Sequence, residues 1–152
     1  HGGASTTPYR SGTPALGLAA ATAFSLELAC AGREERCAIV RRHSVRLRKV
    51  LSAYPAVRIN SPEGAVPHIL NLSVKNVKGT VFQRALSERG VCVSVKSACS
   101  ADGLPSRAVF AVSRDRRNAL SSWRISLSHL TTDAEIDEFL AIFDECYHEL
   151  VK

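Results

Sequence analysis

The sequence predicts an α+β domain, in which a small and mostly antiparallel sheet of about four strands is covered by helices, with a long helix at the N-terminal end. Two long stretches carry apolar residues at three- and four-residue spacing, which indicates an amphipathic helix near each end of the chain. Between them, short alternating segments rich in β-branched residues indicate strands. The predicted order is helix, helix, β, β, α, β, α, β, α, which favours one sheet packed against helices.

The first half of the chain predicts a long helical region with one interruption. Thr13 is a good N-cap and Pro14 fits the first turn, so a helix is expected to begin there and to reach about Ala29. After Gly32 the helix resumes and continues to about Tyr54, where the next residue, a proline, ends it. The apolar face of this second helix consists of Val40, His43, Leu47, Val50, Leu51 and Tyr54.

The second helix also carries a dense set of basic side chains, namely Arg41, Arg42, Arg46, Arg48 and Lys49. They form either a solvated face or a docking surface for an acidic partner. The net charge of +6 could attract nucleic acid or an acidic protein, and it selects neither. Aromatic residues make up only 6% of the chain, so there is no stacking platform for bases and no nucleic-acid partner is expected.

The second half predicts the sheet and three more helices. A helix is expected over 80–90, and a short one follows Ser106 as its cap, whereas 114–122 is expected to be a polar connection. Thr132 and Glu135 have the spacing of a capping box in front of the last helix. The predicted strands are 56–60, 68–74, 91–95 and 123–128, and the apolar stripe of the last helix is Ile136, Phe139, Leu140, Phe143, Tyr147 and Leu150.

No run of 18 apolar residues and no apolar signal core occurs, so we expect a cytoplasmic protein, or an organellar one if the source is eukaryotic, with no membrane partner. The five cysteines form no C-x-x-C pair, which argues against a metal site, and disulfides are not expected without secretion. Most of these thiols are expected to be small core residues.

Cys99 differs from the other cysteines because it stands among small residues in KSACSADG, residues 96–103. A reactive cysteine needs access and a positive field, and Lys96 could supply part of that field. The alternative is an incidental exposed thiol. No cysteine–histidine pair can be read from the spacing, so a papain-like hydrolase is only weakly supported.

Two further segments could bind anions. Arg124 lies within a predicted strand, where a half-buried arginine needs a carboxylate or phosphate partner, which an internal salt bridge could also provide. The segment YRSGTP, residues 9–14, precedes a helix and could bind a phosphate, although it could equally be an ordinary capped helix start.

Three motifs follow one another along the chain: RSGTP at 10–14, SACS at 97–100 and WRISLSHLTTDAEIDEFL at 123–140. Together they resemble the C-terminal part of NifS/IscS-type cysteine desulfurases, and HILNLSV and RGVCVSVKSACSA fit the same pattern. The resemblance covers nearly the whole chain, from His1 to about Leu150.

This resemblance implies a homodimeric enzyme with the fold type I small domain, pyridoxal 5'-phosphate as cofactor and L-cysteine as substrate. Such enzymes release L-alanine and pass sulfur, as a persulfide on a mobile cysteine, to a sulfur-acceptor or iron–sulfur scaffold protein. Cys99 matches that catalytic cysteine. Arg124 matches the arginine that binds the substrate carboxylate, and Thr13 matches the threonine that reaches the cofactor phosphate of the partner subunit.

The chain also departs from the family pattern. Lys96 stands where a glycine is often found, and residues 4–9 lack the family's acidic or amide residue. The lysine that bonds the cofactor has no match, so we expect a fragment that is inactive alone and binds the cofactor only in the full-length parent. Residues 1–30 would end the cofactor domain and begin the linking helix, and 31–152 would form the small domain. The lysines of the chain are at positions 49, 75, 78, 96 and 152.

A different class of function also accommodates these residues. The chain could be a stand-alone sulfur carrier or interaction module that accepts a persulfide on Cys99 from a separate enzyme. In that case the basic helix 39–51 would dock an acidic partner.

Overall fold

The computed structural model describes residues 12–95 and 104–151, which divide into two compact units between Glu35 and Arg36. Cys99 lies outside these described residues. The helices are α1 (Leu16–Ala31), α2 (Arg33–Leu51), α3 (Gly79–Ser87), α4 (Arg107–Ser113), α5 (Arg116–Ser121) and α6 (Asp133–Leu150), and the strands are β1 (Val57–Ile59), β2 (Ile69–Val74) and β3 (Ser122–Ser126).

In the first unit, α1 begins later than the sequence predicts. Ala15, not Thr13, occupies the N-cap position, and no side chain caps this helix. The helical ladder starts where the Ala19 amide donates to the Ala15 carbonyl at 3.0 Å, so the Thr13 hydroxyl lies too far upstream to serve as a cap. Gly32 separates α1 from α2, as predicted, and α1 buries none of its residues.

The sheet of the second unit has three antiparallel strands in the order β1-β2-β3. The α+β prediction is confirmed, but the predicted strand 91–95 forms only an isolated bridge between Ser94 and Arg124. Two other backbone groups of this segment bond to α3, since the Val91 amide donates to the Leu86 carbonyl and the Gln83 side chain donates to the Val93 carbonyl, both at 3.0 Å. Residues 91–95 therefore form no second bridge to a strand of the described sheet.

The core of the second unit lies between one face of the sheet and helices α2, α3 and α6. Trp123 on β3 stacks on Phe82 of α3 with ring centroids 5.2 Å apart, and Phe143 of α6 closes the cluster. Each such fully buried side chain contributes about 1.5–3 kcal/mol relative to an exposed position. The strand residues on this face are Leu70, Leu72, Val74, Trp123 and Ile125.

The helix caps explain where the later helices begin. The Ser106 hydroxyl accepts a bond from the Val109 amide at 3.4 Å, which confirms the predicted cap of α4. The capping box of Thr132 and Glu135 is also formed. The predicted polar connection 114–122 is wrong, because Asp115 accepts a bond from the Asn118 amide at 3.0 Å and so caps the short helix α5.

Much of the basic face of α2 makes contacts within the second unit. Arg42 pairs with Asp133 at 3.1 Å, Arg46 pairs with Asp137, and Arg48 donates to two backbone carbonyls of the loop after β1. Exposed pairs of this kind stabilise a fold only weakly, but they orient α2 on α6.

Candidate functional site

The strand alternation gives the sheet a second, polar face. Trp123 and Ile125 are buried in the core, so Arg124 between them extends from the opposite side. Asn71 has the same position on β2, between two buried leucines, and it lies directly opposite Arg124 in the β2–β3 register. One side of the sheet therefore builds the core, and the other side presents an arginine and an amide.

An open cleft with a volume of about 1010 Å³ lies over this polar face. Residues from the end of β1, from β2 and from α4 line it together with Arg124. Its charged lining residues are all arginines, namely Arg58, Arg107 and Arg124, and no acidic residue lines it in the described part of the chain. Three guanidinium groups without a lining carboxylate make this cleft attractive to anions.

Arg124 is the most buried of these three arginines. Its Nε atom is inaccessible to solvent and has no hydrogen-bond partner, and the side chain makes no ion pair with any residue in 12–95 or 104–151. The internal salt bridge that the sequence left open is thus not seen there. The two terminal nitrogen atoms of Arg124 are not enclosed in this way and make no hydrogen bond within the described residues, so they can donate to an external anion.

The backbone of Arg124 is held on both sides. Besides its pairing with Asn71, it exchanges two hydrogen bonds with Ser94, from the Ser94 amide at 3.1 Å and to the Ser94 carbonyl at 2.7 Å. The position of its Cα is consequently fixed although its side chain is unpaired, which is the arrangement a binding residue needs.

A network of neutral side chains covers the sheet beside Arg124. The Asn60 amide donates to Asn71 Oδ1 at 2.9 Å and to Ser73 Oγ at 3.0 Å, and the Asn118 amide donates back to Asn60 Oδ1 at 2.9 Å. Ser73 also donates to Asn118 Oδ1. Because these groups satisfy one another, the network beside Arg124 is polar and adds no charge to this face of the sheet.

The three candidate site residues from the sequence, Thr13, Cys99 and Arg124, do not all lie in this cleft. Arg124 lies in the cleft, whereas Thr13 lies in the first unit, exposed, in the segment before α1. Cys99 is outside the described residues, but the described residues on either side of its segment, Val95 and Leu104, both line the cleft.

Sequence reasoning missed three residues of the cleft. Arg58 and Arg107 carried no signal, since an arginine on a short strand or in a first helical turn is ordinary. Asn71 could have been found, because a polar residue between two leucines on a predicted strand must extend from the face opposite the core.

The family that the motifs resemble uses pyridoxal 5'-phosphate, which bonds to a lysine. The described lysines, Lys49, Lys75 and Lys78, are exposed, and none of them lines the cleft of Arg124. Within the described part of the chain, this cleft therefore offers arginines to an anion and no lysine to the cofactor.

The described residues form neither a metal-binding cluster nor a membrane-spanning helix. Within the described ranges, no group of three or more histidine, cysteine, aspartate or glutamate side chains is placed to hold a metal ion. Among the same residues, no helix combines the length and the apolar character needed to cross a bilayer.

A family model and several known proteins match this chain along most of its length. A model of the family described as aminotransferase class-V matches residues 3–139. A NifS/IcsS protein homologue from Lactobacillus delbrueckii subsp. bulgaricus is 29% identical over 154 residues, covering 99% of this chain and 40% of that protein. The cysteine desulfurase IscS of Azotobacter vinelandii is 35% identical over 142 residues, covering 90% of this chain and 34% of that protein.

A solved structure agrees with these matches. A NifS-like protein, 28% identical, superposes with a TM-score of 0.79 over 99% of this chain and 38% of its own. The chain thus spans at most 40% of the length of these relatives. The resemblance first carried by three short motifs is confirmed and extends over the whole fold.

Proposed function

Because this chain belongs to the aminotransferase class-V family, we propose that it is the part of a NifS/IscS-type cysteine desulfurase that binds the substrate carboxylate and carries the sulfur. The observation that carries this proposal is the unpartnered guanidinium of Arg124 in a cleft whose charged lining residues are all arginines. The similarity to proteins named cysteine desulfurase supports the choice of substrate.

Arg124 is proposed to bind the carboxylate of L-cysteine. Its planar fork can donate two parallel hydrogen bonds to that carboxylate, and its backbone is fixed by Asn71 on one side and Ser94 on the other. The two hydrogen bonds would fix both the position and the orientation of the carboxylate. They would therefore also restrict where the sulfur of the substrate lies.

Cys99 is proposed to receive that sulfur. Cys99 is the fourth residue after Val95, which lines the cleft, so chain geometry limits the distance between their Cα atoms to about 14 Å. The cleft residue Leu104 sets a similar limit from the other side. These two anchors support a thiol that can reach a substrate held on Arg124.

The proposed chemistry balances without an external oxidant. The Cys99 thiolate attacks the sulfur of L-cysteine, a sulfur–sulfur bond forms while the carbon–sulfur bond breaks, and the carbon takes up a proton to become L-alanine. Pyridoxal phosphate supplies the electron sink for such reactions when it is bound. The persulfide on Cys99 then passes its outer sulfur to the thiolate of an acceptor protein.

Thr13, in the RSGTP motif, is proposed to contact the phosphate of the cofactor bound by the partner subunit. Thr13 is exposed, so its hydroxyl is available to donate to a phosphate oxygen held by the partner subunit of a homodimer. The chain alone is proposed to be inactive on L-cysteine, because its described lysines do not line the cleft of Arg124.

Mass spectrometry of the full-length protein with pyridoxal phosphate and L-cysteine tests the role of Cys99. We expect one added sulfur atom on the peptide that contains Cys99, no added sulfur in Cys99→Ser, and normal loading in Cys92→Ser, which removes an exposed thiol of the same chain. A Cys99→Ser protein that still transfers sulfur at the normal rate would overturn the assignment.

Substitution of Arg124 distinguishes the desulfurase function from that of a stand-alone sulfur carrier. Arg124→Lys keeps the charge but loses the fork, so KM for L-cysteine should rise at least about tenfold while loading of Cys99 from a chemical persulfide donor stays unchanged. If the full-length protein loads sulfur from such a donor but never from L-cysteine, the carrier function is correct instead.

A further inference from the structure

A second pocket lies on the polar face of the sheet, beside β1 and α5, with a volume of about 380 Å³. We propose that this pocket, defined by Arg58, Lys75, Arg117, Asn118 and Ser121, binds the phosphate group of a small phosphate monoester. It is built entirely from described residues, and the proposed desulfurase reaction makes no use of it.

The charge of the lining selects an anion. Arg58, Lys75 and Arg117 supply three positive groups, and Asp115 is the one acidic residue among the lining residues. The side chains of Lys75 and Arg117 make no ion pair and no hydrogen bond within the described residues, so both are available to a ligand. The excess of two positive charges matches the charge of a phosphate monoester near neutral pH.

Asp115 does not cancel this preference. One of its carboxylate oxygens accepts the Asn118 amide at 3.0 Å and caps α5, and the other lies 3.7 Å from Arg58 Nη1. A pair at 3.7 Å between half-exposed side chains is weak, so Arg58 can turn one edge of its guanidinium towards a ligand without losing a strong bond.

The inner end of the pocket is polar and rigid. Ser73 is 2% exposed and Asn118 is 8% exposed, and they bond to each other and to Asn60. Ser121 is 8% exposed, and its hydroxyl makes no hydrogen bond among the residues the structure describes. A hydroxyl that is free to donate, on a residue with little exposure at the end of a positive pocket, suits a phosphate oxygen.

The size of the pocket points to a small molecule and not to a bare ion. A volume of about 380 Å³ is at the lower end of the range for small-molecule sites, which is about 300–1,000 Å³. The apolar part of the wall, from Pro55, Ala56 and Val57, offers a surface for the carbon atoms of the ester. Arg58 also lines the larger cleft, so it separates the two sites.

Backbone amide NMR shifts of the full 152-residue chain test the proposal at constant ionic strength. Glycerol 3-phosphate and inorganic phosphate should each cause saturable shifts at Lys75, Asn118 and Ser121, with the ester binding more tightly because of the apolar wall. Succinate, a dicarboxylate of similar charge, should bind at least about fivefold more weakly than the ester, since each of its carboxylates has only two oxygens and leaves none for Ser121.

Substitutions give the matched controls. Arg117→Gln and Lys75→Gln should each weaken ester binding at least about fivefold, and Arg41→Gln, which removes the same charge from an exposed site on α2, should have no effect. The proposal is overturned if no saturable shift occurs, if the shifts lie around Arg124 instead, if succinate binds as well as the ester, or if Arg41→Gln weakens binding as much as Arg117→Gln.

Discussion

Asn71 and Arg124 lie directly opposite each other on β2 and β3, on the face of the sheet that does not build the core. Side chains so placed have Cβ atoms about 4.5–5.5 Å apart. Asn71 is held by the Asn60 amide, which donates to its Oδ1 at 2.9 Å. A neutral amide therefore stands where a carboxylate would have neutralised the arginine, and the charge of Arg124 remains available for a ligand.

Asn71→Asp should place an internal carboxylate beside Arg124 and compete with the substrate. We expect KM of the full-length enzyme for L-cysteine to rise at least about tenfold, with a smaller change in kcat. Asn71→Ala is the control, because it removes the bond from Asn60 without adding charge. Equal KM values for the two variants would show that Asn71 does not act through the charge of Arg124.

Phe143 should contribute strongly to the stability of the core. It is fully buried, and Phe143→Ala should lower the free energy of unfolding by about 3–5 kcal/mol in urea denaturation. Phe110→Ala removes the same ring from a position that is 41% exposed, and it should cost about 0.5 kcal/mol or less. The rings around Phe143, with centroids 5.1–6.2 Å away, belong to Tyr54, Phe82, Trp123, Phe139 and Tyr147.

The capping box should make the stability of α6 depend on pH. The backbone bond from Thr132, and then its hydroxyl, lower the pKa of Glu135 below its ordinary value of 4.5. A lowered folded pKa contributes stability above pH 4.5, which is lost as the pH falls through the folded value. The melting temperature of wild type should thus exceed that of Glu135→Gln at neutral pH, and the gap should close in acid. A gap that stays constant down to pH 3 would contradict this account.

Tyr54 should produce a second pH dependence, in the alkaline range. Burial, followed by its hydrogen bond to Asp144 at 2.8 Å and the charge of that carboxylate, raises the pKa of Tyr54 from 10.0 to about 12. The folded state keeps a proton that the unfolded state loses, so this contribution is complete below pH 10 and disappears as the pH rises through about 12.

The Tyr54→Phe variant tests whether Tyr54 causes this alkaline pH dependence of stability. The stability of wild type relative to Tyr54→Phe should fall between about pH 10 and pH 12, and the tyrosinate absorbance of wild type should include a late step that the variant lacks. Because all other groups are shared, the difference between the two proteins isolates Tyr54. A flat difference would show that Tyr54 ionises at its ordinary pKa.

Local signals predicted the fold well. The capping box at Thr132 and the cap at Ser106 depend on bonds within four residues, so the sequence contains all the information that they need. The helix at Arg116–Ser121 has an equally local signal in Asp115, three residues before Asn118, but its polar composition is also typical of a connection. The absence of a ladder at 91–95 could not be predicted, because it depends on bonds to α3.

The site was less accessible to sequence reasoning. Arg124 was identified from its place between Trp123 and Ile125, a pattern that fixes the face but not the partner. That Arg58 and Arg107 line the same cleft depends on how β1 and α4 meet over the sheet, which no spacing along the chain encodes. The second basic pocket arises in the same way, where Lys75 after β2 meets Arg117 of α5.

The bridge between Ser94 and Arg124 gives this protein a built-in spectroscopic reporter. The Arg124 amide donates to the Ser94 carbonyl at 2.7 Å, so its hydrogen exchanges with deuterated solvent only when the segment before residue 96 separates from β3. The exchange rate of this single proton therefore measures how often the chain that leads to Cys99 leaves the sheet. A ligand or partner that slows this exchange holds the segment against Arg124, and one that speeds it lets the segment go.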